Sequence, residues 1–213
     1  MHIPIHEIIR TIQGEGARAG WPCVIVRTLG CNLACRWCDT SQKGAAGVEM
    51  SIPEIAARVA GLGTRLVELT GGEPLVHADA PALCERLLAG GHEVLVETNG
   101  SLDVSVLPAG VVRIVDLKPP SSGESGRNLL SNVALLSPAD EIKIVVADEA
   151  DYDWARRAIS GDLAGFAGPI HLSPLTPGMD PGKLARMILL DRLPVRLNLQ
   201  IHKIIFPGGE KGA

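Results

Sequence analysis

Short runs of aliphatic and β-branched residues recur along the chain between turn residues, and they predict the strands of a sheet. Several runs are apolar at consecutive positions, which is typical of parallel strands that are covered on both faces. The predicted strands cover residues 23–29, 66–70, 93–98, 112–117, 141–146 and 170–173, with residues 196–201 as the candidate last strand. The pattern therefore predicts a largely parallel sheet.

Amphipathic segments between some of these strands predict helices. Ser51 and Glu54 have the spacing of a capping box, so the first helix is expected to start there and to run to about residue 60. Asp79 is expected to cap the second helix. The other predicted helices cover residues 81–89, 149–159 and 181–190. Only short stretches separate the third, fourth and fifth strands, so full-length crossover helices hardly fit there.

The alternation of strands and helices predicts the α/β class, because parallel strands need crossover connections that lie over the sheet. Since some crossover helices are missing, we expect a partial (open) TIM-like barrel of about six parallel strands. Residues 1–206 are expected to form a single domain, and the glycine-rich residues 207–213 a flexible tail.

Composition and charge exclude several classes of protein. Hydrophobic residues make up 46% of the 213 residues and charged residues 21%, which argues against disorder. The net charge is −4 and no segment concentrates basic residues, so we expect no nucleic-acid partner. We also expect no membrane association, because no apolar run reaches the roughly 20 residues that a bilayer requires. Without a signal-peptide pattern at the N-terminus, the expected location is cytoplasmic.

Three of the five cysteines form the sequence feature that points most directly to chemistry. Cys31, Cys35 and Cys38 follow the first predicted strand with C-x3-C-x2-C spacing, so one loop carries three sulfurs toward a single metal or cluster. Crowded thiolates need a cation among them, and a bound metal deprotonates a thiol outright. Cys23 and Cys84 are interpreted as small buried apolar residues.

Spacing alone leaves two interpretations of this loop open. Structural zinc normally has four protein ligands, so one distant Cys or His would have to complete a zinc site. Iron–sulfur clusters also usually use four cysteines, and a cluster held by three would keep one iron open for a substrate or cofactor.

The motif C-x3-C-x-aromatic-C, with Trp37 as the aromatic residue, resembles the signature of the radical S-adenosylmethionine (SAM) superfamily. This resemblance implies a 4Fe–4S cluster on the three cysteines, with SAM chelating the fourth iron and cleaved by one electron to a 5′-deoxyadenosyl radical. Residues 70–74 (TGGEP) resemble the motif of the superfamily that contacts the SAM amino group, which assigns Gly72 and Glu73 to SAM binding.

Polar residues also recur at the carboxyl ends of later strands, where barrel-like α/β folds carry their chemistry. Asn99, Lys118 and Ser173 are therefore expected to contribute to the cofactor site.

A longer resemblance covers nearly the whole chain. The residues Gln13-Gly-Glu-Gly16, Arg27, Gly30 and Cys38-Asp-Thr40, with similarity continuing to residues 200–203, resemble the 7-carboxy-7-deazaguanine synthase family of queuosine-type 7-deazapurine biosynthesis. This resemblance implies a lyase that converts 6-carboxy-5,6,7,8-tetrahydropterin to 7-carboxy-7-deazaguanine and ammonia by radical ring contraction. It also implies catalytic use of SAM, dependence on Mg²⁺, a flavodoxin-type reductant and a homodimer.

Arg27 is the charged residue of an otherwise apolar predicted strand, where an unpaired charge is costly. Its guanidinium fork matches a carboxylate, so we expect it to bind the substrate carboxylate, with an internal salt bridge as the alternative. Glu15 and Gln13 are expected to bind the pterin edge, because a carboxylate accepts from two neighbouring N–H groups. The alternative is that Gly14 and Gly16 form a plain turn with Glu15 in solvent.

The resemblance assigns the remaining contacts. Thr40 is expected to bind Mg²⁺ through its hydroxyl oxygen, with Asp39 as a rival ligand. His202 at the end of the last predicted strand is expected to contact the substrate, and Lys203 and His77 are weaker candidates that surface positions would equally explain. Two other functions stay open: another radical SAM enzyme, such as a glycyl-radical activating enzyme, or a non-catalytic zinc-stabilised binding module.

Overall fold

A nine-stranded sheet forms the frame of the computed structural model, which describes residues 1–38 and 46–207. The strands are β1 (His2–Ile12), β2 (Pro22–Thr28), β3 (Val48–Ser51), β4 (Leu66–Gly71), β5 (Glu93–Thr98), β6 (Val112–Leu117), β7 (Glu141–Val146), β8 (Ile170–Pro174) and β9 (Arg196–Leu197). Their order in the sheet is β3-β1-β2-β4-β5-β6-β7-β8-β9. From β2 to β9 all neighbours pair in parallel, whereas β1 pairs antiparallel with both β2 and β3.

The helices largely follow the prediction. They are α1 (Ile52–Gly61), α2 (Ala80–Ala89), α3 (Glu149–Ser160), α4 (Pro181–Asp191) and the short α5 (Ile201–Ile205). The predicted capping box is confirmed, since the Ser51 hydroxyl accepts from Glu54 N and the Glu54 carboxylate accepts from Ser51 N at 2.8 Å. Asp79 occupies the predicted N-cap position of α2, but its side chain does not cap the helix, because its carboxylate accepts instead from His2 N (2.9 Å) at the start of β1.

The connections around β6 confirm the abbreviated barrel. Within the described residues, the helical segments of these two connections are all 3-10: Val104–Val106 joins β5 to β6, and Pro120–Ser122, Ser125–Arg127 and Leu130–Leu135 join β6 to β7. With α-helices missing from these two crossovers, the α/β partial barrel with about six principal parallel strands is confirmed.

The sequence did not predict the N-terminal strand β1 or its neighbour β3. Strand β1 places Ile3 and Ile5 in the core, but its register against β2 then shifts between Ile5 and Glu7. This bulge breaks the period-two pattern, so the next buried residue is Ile8 and the segment does not show the alternation of a strand.

The last predicted strand is also shorter than expected. Strand β9 ends at Leu197, and residues 201–205 form α5 rather than continuing the sheet. The chain turns away because Asn198 N donates to Leu172 O (2.9 Å) and Ile201 N then donates to Gly14 O (3.0 Å). The C-terminal segment thus covers the loop that follows β1. Residues 208–213 of the predicted tail lie outside the described part of the chain.

The two faces of the parallel strands differ in chemistry. One face packs against the helices and is aliphatic. The opposite face, which we call the inner face, has an apolar floor formed by Cys23, Ile25, Leu66, Leu95, Val112 and Ile114. Because side chains alternate along a strand, the next inner positions toward the carboxyl ends are Glu68, Glu97, Asp116 and Lys143. The inner face therefore changes from apolar to charged toward the edge where the cysteine loop begins.

The interpretation of Cys23 and Cys84 is confirmed, because both are fully buried, and burial raises the pKa of each thiol to about 12. In residues 1–38 and 46–207, we find no helix with the length and apolar character that crossing a membrane requires.

Candidate functional site

The three clustered cysteines lie on the loop that directly follows β2. Cys31 and Cys38 are exposed, Cys35 is half-buried, and none of them is in a disulfide. The loop is anchored on the turn after β6: Trp37 Nε1 donates to Ser121 Oγ (2.8 Å), and the Arg36 N–H donates to the Ser122 carbonyl (3.0 Å). The aromatic residue of the motif thus fixes the loop against the neighbouring connection.

The chemistry of these thiols fits a cluster that supplies positive charge. Burial raises the pKa of Cys35 above its ordinary value, and although Lys118 opposes the shift, Asp116 and the other two cysteines add to it. Among the described residues, His, Cys, Asp and Glu side chains form no group of three or more that would hold a metal ion. The fit to a 4Fe–4S cluster therefore rests on the donor set, three accessible thiols on one loop beside a buried lysine.

Two of the predicted cofactor residues lie next to this loop. Asn99, directly after β5, approaches Cys31 Sγ to 3.7 Å with its side-chain nitrogen and donates to Asn32 Oδ1 at 3.0 Å. The Lys118 ammonium, directly after β6, lies 5.5 Å from the centre of the Trp37 ring. The carboxyl ends of β5 and β6 therefore meet the cysteine loop.

Glu73 of the GGEP motif joins two strand ends inside the protein. Its side chain is fully buried and accepts from Leu75 N (3.0 Å), Thr98 Oγ1 (2.8 Å) and Asn99 N (2.6 Å). Burial raises the pKa of Glu73, and these donors oppose the shift. Gly72 precedes it, with its N–H 3.3 Å from Thr28 O. Contact of either residue with SAM stays a prediction.

Ser173 lies farther along the same edge, at the end of β8. It is buried, and its hydroxyl accepts from Asn198 Nδ2 at 2.8 Å. The structure thus joins Ser173 to the segment after β9, whereas Asn99 and Lys118 are joined to the cysteine loop.

The loop after β1 directs Glu15 into the protein. Its carboxylate accepts from Gln200 Nε2 (2.7 Å), Lys143 Nζ (3.1 Å) and Asn198 Nδ2 (3.3 Å). The alternative of a plain turn with Glu15 in solvent is therefore wrong. Gln13 is buried beside it, and its Oε1 accepts from the Glu15 N–H at 3.3 Å.

The two glycines of this loop allow close packing on both sides. A Cβ atom at Gly14 would lie 1.8 Å from Nδ1 of His202. Gly16 has a φ of +72°, and a Cβ there would lie 2.8 Å from the Glu141 carboxylate, which also accepts from Ala17 N at 2.8 Å. The two glycines thus allow the loop to pack closely against His202 on one side and Glu141 on the other.

The sequence predicted that His202 lies at the end of the last strand, and this prediction is wrong. His202 lies in α5, with its ring against Gly14. Lys203 follows it in the same helix. His77 donates from Nε2 to Leu29 O at 2.6 Å and so holds the end of β2. Thr40 and Asp39, the predicted Mg²⁺ residues, lie outside the described residues.

Arg27 lies on the inner face of β2 and forms the internal ion pair that was the alternative interpretation. Its Nε donates to Glu7 Oε1 at 2.9 Å, directly across the β1–β2 register. In the part of the chain that the structure describes, the two terminal nitrogens of the fork have no hydrogen-bond partner, and the side chain is 20% exposed. The pair with Glu7 therefore still allows Arg27 to bind a carboxylate.

The charged residues around Lys143 were missed by sequence reasoning. Lys143 Nζ contacts the carboxylates of Glu15 (3.1 Å), Glu97 and Asp116 (3.8 Å). Burial alone would lower the pKa of Lys143, but these three carboxylates raise it well above its ordinary value. Isolated charged residues in apolar strands, the signal that singled out Arg27, would have identified this cluster too.

Asp116 retains an acceptor for a ligand. Its Oδ2 accepts from Lys118 Nζ at 2.8 Å, while its buried Oδ1 has no hydrogen-bond partner among the described residues. Buried acceptors are normally satisfied, so this oxygen is suited to a donor on a bound molecule.

Comparison with known proteins agrees with the architecture and the motifs. The Radical SAM superfamily pattern matches residues 25–116. A protein of Koribacter versatilis named 7-carboxy-7-deazaguanine synthase is 41% identical, covering 98% of this chain and 99% of that protein. A Rhodospirillum rubrum protein of the same name is 48% identical, covering 94% and 91%. The crystal structure of QueE from Escherichia coli matches with a TM-score of 0.77 and 26% identity over 94% of both chains.

Lys143 is expected to be essential for the stability of the inner face. Lys143→Met should lower the free energy of unfolding by about 3 kcal/mol or more, because it leaves several carboxylates buried without their cation. Their pKa values would then exceed those of the unfolded chain, so the loss should be smaller at about pH 5 than at about pH 8. Urea unfolding at both pH values measures this.

Lys183→Met is the matched control, because Lys183 pairs with Glu149 at an exposed position. It should cost less than about 1 kcal/mol at either pH. Equal losses in the two variants would contradict the role given to Lys143.

Proposed function

This chain belongs to the 7-carboxy-7-deazaguanine synthase family, and from that premise we propose that it converts 6-carboxy-5,6,7,8-tetrahydropterin to 7-carboxy-7-deazaguanine with loss of ammonia. It is a radical SAM enzyme of 7-deazapurine biosynthesis. The observation that carries the proposed reaction is the inward carboxylate of Glu15, held by Lys143 and two amide side chains on the inner face. Family membership favours this reaction over a glycyl-radical activating enzyme and a zinc-stabilised binding module.

Cys31, Cys35 and Cys38 hold the cluster in this proposal. When bound, a 4Fe–4S cluster with SAM supplies the one-electron cleavage that generates a 5′-deoxyadenosyl radical. Lys118 lies over Trp37 and beside Cys35, so its charge favours the thiolate form that a cluster needs. Gly72, Glu73, Asn99 and Ser173 remain the candidates for orienting SAM, with Glu73 acting through the strand ends that it joins.

The substrate is bound by charge on one side and by hydrogen bonds on the other. The two terminal nitrogens of the Arg27 fork, which have no hydrogen-bond partner among the described residues, match the substrate carboxylate in the bidentate geometry of an arginine–carboxylate pair. Glu15 accepts from neighbouring N–H groups of the pterin, and Gln13 extends this edge. His202, packed against Gly14, is the further substrate contact on the C-terminal side.

Mg²⁺ binds the substrate carboxylate in this proposal, with Thr40 as a hydroxyl ligand and Asp39 as its rival. Magnesium keeps several waters and needs few protein ligands, which suits one hydroxyl beside a substrate carboxylate. A flavodoxin-type reductant, a homodimer and a cytoplasmic location complete the proposal as family expectations. The proposal includes no nucleic-acid or membrane partner, because a net charge of −4 does not attract anionic surfaces.

The reaction itself is the first test. Anaerobically reconstituted protein should be brown, and with SAM, a reductant, Mg²⁺ and the carboxypterin it should form the deazapurine product, detected by mass spectrometry. Cys35→Ala should lose the broad iron–sulfur absorption and the product, whereas Cys84→Ala should keep both, because Cys84 is buried in α2. A colourless protein that binds zinc would contradict the proposal.

Arg27 gives a test of substrate binding that is separate from cluster assembly. Arg27→Ala should weaken carboxypterin binding by about ten- to a hundredfold, since it removes charge-assisted hydrogen bonds. The iron content and the absorption spectrum should stay unchanged. Anaerobic titration with the pterin measures the affinity, and Arg10→Ala, at an exposed position of β1, is the control. An affinity near that of the unchanged protein would remove Arg27 from the substrate site.

A further inference from the structure

Five residues form a closed ring of polar contacts on the inner face, and Glu15 takes part through both its backbone N–H and its carboxylate. Gln13 Nε2 donates to the Glu68 carboxyl group, and Gln13 Oε1 accepts from the Glu15 N–H. The Glu15 carboxylate accepts from Lys143 Nζ, which also donates to Glu97. Glu68 and Glu97 lie on the same face of the paired strands β4 and β5, where each carboxyl group affects the pKa of the other, and this neighbouring pair closes the ring. Glu68 is the carboxyl group of this ring that has no contact with Lys143.

Glu68 is the innermost member of this ring. It is 4% exposed, it lies opposite Ile25 in the β2–β4 register, and the apolar floor begins directly beneath it. When two carboxyl groups are neighbours in a buried site, like-charge repulsion disfavours the ionisation of both, so one of them tends to keep its proton. Because Lys143 contacts Glu97 and not Glu68, the geometry assigns the negative charge to Glu97 and the proton to Glu68.

We propose that Glu68 is a positioning residue of the substrate site: as a neutral carboxyl group it donates to Glu97 and accepts from Gln13, fixing both beside Glu15. This inference rests on the proposed function, because it concerns the binding of the carboxypterin. With Glu68 neutral, the cations Lys143 and Lys118 face three carboxylates, those of Glu15, Glu97 and Asp116, rather than four. An ionised Glu68 would place a second negative charge against Glu97 and open the ring.

The surroundings of Glu68 agree with the neutral form. Burial, followed by Glu97, raises the pKa of Glu68 to about 8, against the opposing hydrogen bond from Gln13. Glu97 on β5, Glu15 on the loop after β1 and Cys23 on β2 interact electrostatically with Glu68. Asp116 and Lys143 interact with Glu97 and so affect Glu68 indirectly. Cys23 keeps its proton throughout this range, since the pKa of its thiol is raised to about 12. A pKa raised to about 8 is consistent with a protonated Glu68 at neutral pH.

The test compares the pH dependence of carboxypterin binding in reconstituted, SAM-loaded protein and in two variants. Glu68→Gln keeps a neutral donor and an acceptor, so its affinity should stay within about threefold of the unchanged protein near pH 7. Above about pH 8 the dissociation constant of the unchanged protein should rise about tenfold per pH unit, and that of Glu68→Gln should not. Titration of the substrate itself affects both proteins equally.

Glu68→Leu keeps the volume but supplies no hydrogen bond. It should bind the pterin about tenfold more weakly at every pH, because Gln13 and Glu97 lose their partner. Glu85→Gln, at an exposed position of α2, should reproduce the pH profile of the unchanged protein. If Glu68→Leu does not fold, the Glu68→Gln profile decides the question alone.

Infrared spectroscopy tests the protonation state without substrate. The carbonyl band of a protonated carboxyl group should be present near pH 7, disappear on titration above about pH 8, and be missing in Glu68→Gln. The same alkaline loss of binding in Glu68→Gln, or no such band in the unchanged protein, would overturn the inference. Failure of the unchanged protein to bind or convert the carboxypterin would instead contradict the proposed function, and the infrared result would still stand on its own.

Discussion

A buried ammonium group among carboxylates is the interaction on which the rest of this site depends. Lys143 lies at the centre of the inner face and contacts carboxylates from the loop after β1, from β5 and from β6. Charges removed from water must be balanced nearby, so the positions of these segments are coupled through one side chain. The same contact turns Glu15 inward, and it thereby orders the loop that would recognise the substrate.

Much of the fold follows from local signals in the sequence. The parallel strands β2 and β4 to β8 are short, apolar and separated by clear turn residues, so their pattern predicts them almost to the residue. Helix α1 follows from its capping box. Strand β1 cannot be predicted in this way, because the bulge after Ile5 changes which positions are buried. Helix α5 cannot be predicted either, because it depends on the hydrogen bond from Ile201 to Gly14, which is distant in the chain.

The candidate site shows the same difference between features set by local sequence and features set by distant contacts. The cysteine loop and the GGEP motif are contiguous in sequence, so their spacing carries the information. The ring around Lys143 has partners separated by 46 and 128 positions, and no local pattern relates them. What the sequence does contain is the anomaly of charged residues in apolar strands, which predicts that partners exist without identifying them. Glu73 illustrates a further limit, since its motif indicates a ligand contact while its buried carboxylate binds the end of β5.

The hydrogen bond from Ile201 to Gly14 has a consequence for how the protein matures. The loop after β1 obtains its supports from residues 198–202, and its bonds to Asn198 and Gln200 span 183 and 185 positions of the chain. Strands near the N-terminus can pair early, since domains begin to fold while synthesis continues. The recognition loop, in contrast, stays without its supports until residues 198–202 have been synthesised, so chains that stop before them would possess the sheet and the cysteines but no assembled binding surface.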